Sequence, residues 1–230
     1  MNDPDLNIPM GGFIPCSMTD YPSHISCIVF TTGCNMRCHY CHNTNLLRER
    51  NCDSNDVFYM NQVKDHVKKH RMMLDGVVII GGEPTIHEDL ISLISWIKTI
   101  GLNVKLDTNG TNFNMVNTLV TDGLVDYVAM DLKASLSYES YCLVVGRTFR
   151  KELFDNVLRT KGLLEKGAVD YEFRTTLSDR LHKDDLLRLA GQKEGRWFLQ
   201  QVEGQSSCWS FTQEELNVLN EKYKGYISYR

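Results

Sequence analysis

The sequence predicts an α/β fold, a partial (β/α)6 TIM-like barrel, and three observations carry that expectation. Short β-rich runs alternate with stretches of helical period, the arrangement that makes a parallel sheet with helical crossovers. There are six such runs, too few for a closed eight-stranded barrel and suited to an open one with a wide lateral mouth. Unusual residues stand where the runs end, and in parallel barrels that rim carries the active site.

The strands follow in order. "CIVFTT" (27–32) and "VVII" (77–80) read as buried strands. "NVKLD" (103–107) and "VDYVAMD" (125–131) come next, then "DYEFRTT" (170–176) and "RWFLQQV" (196–202). Between them, Leu90, Leu93, Ile94 and Ile97 share one helical face within 88–100, as do Phe154, Val157, Leu158 and Leu164 within 151–166. Thr212 stands three residues before Glu215, a capping-box signature that opens a last helix. No repeat or linker interrupts the chain, so residues 1–230 read as one domain. In it, 1–25 form an irregular segment packed across the sheet or barrel, 26–202 the partial barrel and 203–230 a helical extension.

Composition excludes several classes. Of the 230 residues 42% are apolar and 23% charged, the balance of an ordinary globular protein. A net charge of −4 gives no bulk positive field for nucleic acid. "MNDPDLNIPM" lacks the cationic-then-apolar pattern of a secretory signal, and no apolar run approaches the roughly 18 residues of a membrane span. A cytoplasmic protein is expected, with no nucleic-acid or membrane partner. Its eight cysteines then read as thiols or metal ligands rather than disulfides.

Three of them, Cys34, Cys38 and Cys41, fall within "CNMRCHYCHN". Three thiolates suit a four-iron cluster with one corner left open for another ligand. A zinc knuckle completed by His42 or His39 is the competing reading; the spacing and the lack of a second ligand cluster favour iron–sulfur. The scattered Cys16, Cys27, Cys52, Cys142 and Cys208 read as inert thiols. His66 and His70 in "KDHVKKH" lack the glutamate of a zinc-protease helix and, flanked by lysines, read as a solvated face.

The C-x3-C-x2-C loop after a first strand, with Tyr40 before its last cysteine, resembles that of the radical S-adenosylmethionine (SAM) superfamily. "GGEPT" (81–85) is similar to the superfamily's glycine-rich SAM-binding motif, and "YEFRTT" lies where a fifth-strand motif belongs; the likeness covers residues 11–202. More narrowly, "DYPSHISCIVFTTGCNMRCHYCHN", "LDTNG" and "VAMDLKA" resemble the activating proteins of anaerobic ribonucleotide reductases.

The resemblance implies that Cys34, Cys38 and Cys41 hold a [4Fe–4S] cluster whose fourth iron chelates SAM. Reductive cleavage then yields a 5′-deoxyadenosyl radical, which takes a hydrogen atom from a glycine of a partner glycyl-radical enzyme. Gly81 and Gly82 would let backbone approach the amino acid end of SAM, and Glu83 would meet its ammonium. Tyr40 and Asn43 would serve the adenine, although packing and capping a turn are their ordinary uses. Asn109 and Arg174 would be further SAM contacts, with a turn and a salt bridge as the plain alternatives. Asp107, Thr108 and Asp131 would hold a monovalent cation beside SAM, unless Lys133 neutralises Asp131. The electron would come from an external donor such as a flavodoxin. The alternatives are a small-molecule radical SAM enzyme, such as a 7-carboxy-7-deazaguanine synthase-like protein, and a non-catalytic iron–sulfur or zinc module.

Overall fold

The computed structural model describes residues 4–47, 54–181, 196–201, 214 and 227–229. The expected strands are all present: β2 (Ser26–Thr31), β3 (Gly76–Gly81), β4 (Asn103–Thr108), β5 (Tyr127–Asp131), β6 (Asp170–Leu177) and β7 (Arg196–Gln201). They pair in chain order and in parallel, and helical crossovers join β2 through β6. Those helices are α1 (Ser54–His70), α2 (Leu90–Ile100), α3 (Phe113–Thr121), and α4 (Tyr138–Val145) with α5 (Lys151–Leu164).

Both edges differ from the sequence expectation. Residues 10–17 are not irregular: they form β1 (Met10–Ser17), antiparallel to β2. The glycines and Pro15 within it hide its strand character, and pairing with β2 overrides that weak local preference. At the other edge β8 (Ile227–Tyr229) adds a seventh parallel strand inside what reads as a helical extension, and the Thr212–Glu215 cap lies outside the described residues. Among the described residues β1 pairs only with β2 and β8 only with β7, so the sheet stays open.

Alternation along each strand sorts the side chains. Cys27, Val29, Val77, Ile79, Val104, Leu106, Val128 and Met130 face outward, into the main core with the helices. In α2 all four stripe residues are buried; in α5 Phe154, Val157 and Leu164 are, while Leu158 is 38% exposed. Inward, Tyr21, Ile28, Val78, Tyr127 and Ala129 form a small apolar plug. Nearer the C-terminal ends of β4, β5 and β6 the inward positions turn ionic, with Lys105, Asp107, Asp131 and Arg174. His66 is not a solvated residue: its ring hydrogen-bonds the Pro15 carbonyl at 2.9 Å and meets Phe13 edge-on, fastening β1 to α1.

Candidate active site

The strand ends converge on one cavity of about 210 Å³, and every residue singled out for the site lines it. Cys34, Cys38, Tyr40, Cys41 and Asn43 form one side, Gly81, Gly82 and Glu83 the next, and Asp107, Thr108, Asn109, Asp131 and Arg174 the far wall. The segments that contribute are distant in sequence; the parallel register delivers them to one rim.

Backbone hydrogen bonds hold both flanks of the cysteine loop. The Gly33 amide donates to the Leu46 carbonyl at 2.7 Å, and the Gly33 carbonyl accepts from the Glu83 amide at 2.8 Å. On its other flank the Arg37 and His39 amides donate to the Val145 and Val144 carbonyls at the end of α4 (2.9 and 3.2 Å). Those carbonyls have no acceptor role left within a helix that has ended, so the loop satisfies them.

The double glycine belongs to the same joint. A Cβ on Gly82 would lie 1.9 Å from the Gly33 carbonyl oxygen. One on Gly81, whose φ is +136°, would lie 2.1 Å from the Thr31 oxygen. The sequence assigned both missing Cβ atoms to the approach of a ligand. The space is taken by the Thr31 and Gly33 backbone that leads into Cys34, while both glycines still line the cavity.

Cys34 is buried and Cys38 and Cys41 are half-buried, all as free thiols. Burial, reinforced by nearby Glu83, pushes the Cys34 thiol up to about 12; burial also raises Cys38, against the pull of Lys133. Such thiols become thiolates only against a cationic centre. His39 is engaged elsewhere, with its ring nitrogens on the Val144 carbonyl (3.2 Å) and Asp179 (2.8 Å). His42, the other histidine proposed for a zinc knuckle, lines the cavity with the three cysteines. Tyr40 is buried beside the cysteines, with the Thr176 side chain against its hydroxyl and the Lys133 ammonium 5.9 Å over its ring. Three thiols on one shared cavity fit a cluster with a bound organic ligand.

Glu83, 1% exposed, uses its carboxylate within the protein. Oε1 accepts from the Thr85 amide (3.1 Å), the Thr85 hydroxyl (2.5 Å) and the Thr108 hydroxyl (2.7 Å); Oε2 accepts from the Asn109 amide (2.6 Å). Burial raises its pKa, and those donors oppose the rise. Thus the side chain ties the end of β3 to the turn after β4. The Asn109 side chain closes that turn by accepting from Thr111, while its amide donates to Asn35 at 3.0 Å. Asn43 precedes a short 3-10 turn without capping it by its side chain, and stands exposed at the mouth of the cavity.

The far wall is ionic. Asp107 pairs with Lys105 and, at 2.6 Å, with Arg174. Arg174 also donates to Asp131 at 3.0 Å, and Lys133 meets the other Asp131 oxygen at 2.8 Å. Burial alone would raise Asp131; Arg174 and Lys133 outweigh it and hold the carboxyl at about 2. The register makes Asp131 and Arg174 direct neighbours, and Ala129, paired with the Asp107 position, is small enough for the guanidinium to pass over it. Lys105 was not anticipated. Its signal was present: it stands two residues before Asp107 in a strand, hence on the same face.

Fold and site together define a metal-cluster enzyme on a partial barrel. The chain belongs to the radical SAM superfamily, whose family profile matches residues 28–171, and members of that family bind a [4Fe–4S] cluster and SAM. It is 33% identical over 180 residues to a Methanocaldococcus jannaschii protein named as a glycyl-radical enzyme activating enzyme, covering 76% of this chain and 71% of the relative. A 7-carboxy-7-deazaguanine synthase of Halobacterium salinarum is 32% identical over 89 residues, covering 37% of this chain and 32% of that one. In structure, QueE from Escherichia coli superposes with a TM-score of 0.54 at 13% identity, over 97% of this chain and 94% of its own, a likeness of fold. No helix among the described residues is long and apolar enough to cross a membrane.

Proposed function

We propose that this radical SAM enzyme is an activase, one that generates a glycyl radical on a partner protein, an anaerobic ribonucleoside-triphosphate reductase. The observation that carries the reading is the match to the M. jannaschii protein named as an activating enzyme, 33% identical over 76% of the chain, against 25% over 72% for a GTP 3',8-cyclase of Pyrococcus horikoshii. Among the described residues the sheet is open between β1 and β8, which supports it, since a loop of another protein needs a lateral entrance.

In this reading Cys34, Cys38 and Cys41 hold the cluster, and the bound cluster with SAM supplies one-electron cleavage to a carbon radical. The protein's own contribution is position and dryness. The joint of Gly82 on Gly33 fixes the cysteine loop relative to the turn that carries Glu83. Tyr40, buried in the cavity wall, would offer ring surface to the adenosine end. Asn43 stands at the mouth of the cavity, where it would reach the adenine, and Asn109 and Arg174 line the same cavity, where they would contact SAM. The apolar plug below, with Ile80 partly buried against it, limits water around the reacting carbon.

The test is anaerobic incubation of reconstituted protein with SAM, a low-potential reductant and the reductase from the same host. The expected result is a doublet electron paramagnetic resonance (EPR) signal on the reductase, in step with 5′-deoxyadenosine, and absent when its radical-site glycine is changed to Ala. Turnover of a purine-like small molecule without a partner radical would overturn the reading.

A further inference from the structure

The resemblance places a monovalent cation on Asp107, Thr108 and Asp131, and the structure leaves these residues no need of one. Both Asp107 oxygens are engaged, Oδ1 by the Lys105 ammonium and Oδ2 by Arg174 at 2.6 Å. Both Asp131 oxygens are engaged likewise, by Arg174 at 3.0 Å and Lys133 at 2.8 Å. The Thr108 hydroxyl donates to Glu83 at 2.7 Å and accepts from the Gly110 amide at 3.1 Å. Each oxygen of the two aspartates therefore already meets a fixed cation, with buried Glu172 further balancing Arg174, and a free ion would have to displace an ammonium or guanidinium to bind there.

Lys105 is the decisive member. Strand alternation puts it on the same face as Asp107, and the two side chains are 3% and 5% exposed. An ammonium buried there persists only against its carboxylate, and a carboxylate buried there persists only against a cation. Lys105 lies two residues deeper in the strand than Asp107, below the cavity, so it can neutralise Asp107 without occupying the ligand's space; it does not line the cavity.

We propose that the Lys105 ammonium, seated on Asp107 beside Arg174, is a built-in substitute for a monovalent cation, so that SAM binding by this chain does not depend on sodium or potassium. The proposal rests on the SAM site and is independent of which partner or substrate the enzyme serves.

The experiment uses anaerobically reconstituted holoprotein in potassium, sodium or choline chloride at equal ionic strength. Two quantities are read: the midpoint of thermal unfolding, and the SAM concentration that half-converts the EPR signal of the reduced cluster. Neither involves a partner protein, so a failed activase reading leaves the result unaffected. The native protein is expected to give the same values in all three salts, within twofold for SAM. Lys105→Gln should bind SAM at least tenfold more weakly in choline than in potassium or sodium, because a free cation then takes the vacated place on Asp107. Lys105→Arg should restore indifference to the salt. A native protein whose SAM affinity changes threefold or more between potassium and choline overturns the proposal, and this arm stands even if Lys105→Gln does not fold. A folded Lys105→Gln with no salt preference also overturns it, and leaves Lys105 as packing below the site.

Discussion

The two walls of the cavity are built from different forces. The β2–β3 side is a backbone joint, in which amides and carbonyls of Thr31, Gly33, Leu46, Gly82 and Glu83 interlock and two glycines leave no room for a side chain. The β4–β6 side is an ionic lattice of side chains, Lys105, Asp107, Arg174, Asp131 and Lys133, borne on regularly paired strands and the turn that follows β5. A backbone joint tolerates no added atom, because neither partner can rotate away. An ionic lattice tolerates a change of shape and fails on a change of charge. The first wall should therefore respond to volume and the second to pH and to charge.

The largest effect falls on the joint's cargo. Changing Cys34, Cys38 or Cys41 to Ala should remove the cluster, seen as loss of about four irons per chain in reconstituted protein. Cys16→Ala and Cys142→Ala should retain it. Loss of iron in either control would show that the cavity does not define the ligand set.

Next is Gly82→Ala. One methyl group placed 1.9 Å from the Gly33 oxygen must push the cysteine loop, so iron content and SAM binding should fall together. Stability should drop by at least the roughly 1–3 kcal/mol typical of an overpacked site. Intact iron content with weakened SAM binding would mean that the glycine serves the ligand and not the joint.

The ionic wall predicts a titration. The Asp131 carboxyl is depressed from 3.8 to about 2, with Arg174 and Lys133 overcoming the cost of its burial. The unfolded chain therefore takes up this proton first as pH falls. The contribution is complete above about pH 4 and is lost as pH drops through 3.8 toward 2; it amounts to roughly 2 kcal/mol. Asp131→Asn should abolish that part of the acid dependence of urea unfolding, whereas Gly82→Ala should leave it unchanged. If both variants keep the native acid profile, the wall is not the source.

The smallest effect calibrates the rest. Gly162 lies in α5, and a Cβ added there would meet nothing within 4 Å. Gly162→Ala should therefore stabilise by about 0.5–1 kcal/mol, measured by urea unfolding. A destabilised Gly162→Ala would show that adding a methyl group at a glycine is harmful for reasons other than contact, and would weaken the inference drawn from Gly82.

Much of the site was legible because its signals are local. The cysteine spacing, Gly-Gly-Glu at a strand end, and acidic residues ending two further strands can each be read within a few residues, and all of them line the cavity. What those residues touch was less legible. Glu83 was assigned to a ligand's ammonium, yet Thr85, Thr108 and Asn109 occupy its oxygens. Lys105 passed unnoticed, since a lysine in an apolar strand looks like a solvent-facing residue until the sheet curls around it. β1 was missed because glycines and a proline make a poor strand by propensity, and only β2 gives it a partner.

The sequence by itself determined the order of the six central strands, the rim on which the chemistry-bearing residues gather, and the three thiols that would hold a cluster. These follow from periodicity and from spacing along one stretch of chain. Only the tertiary structure decided that Arg174 would clasp Asp107, 67 positions away, and that the Gly33 carbonyl would fill the place of a Gly82 side chain. Such contacts depend on strand register and on the curvature of the sheet, which bring distant residues within bonding distance and which no local pattern of residues encodes.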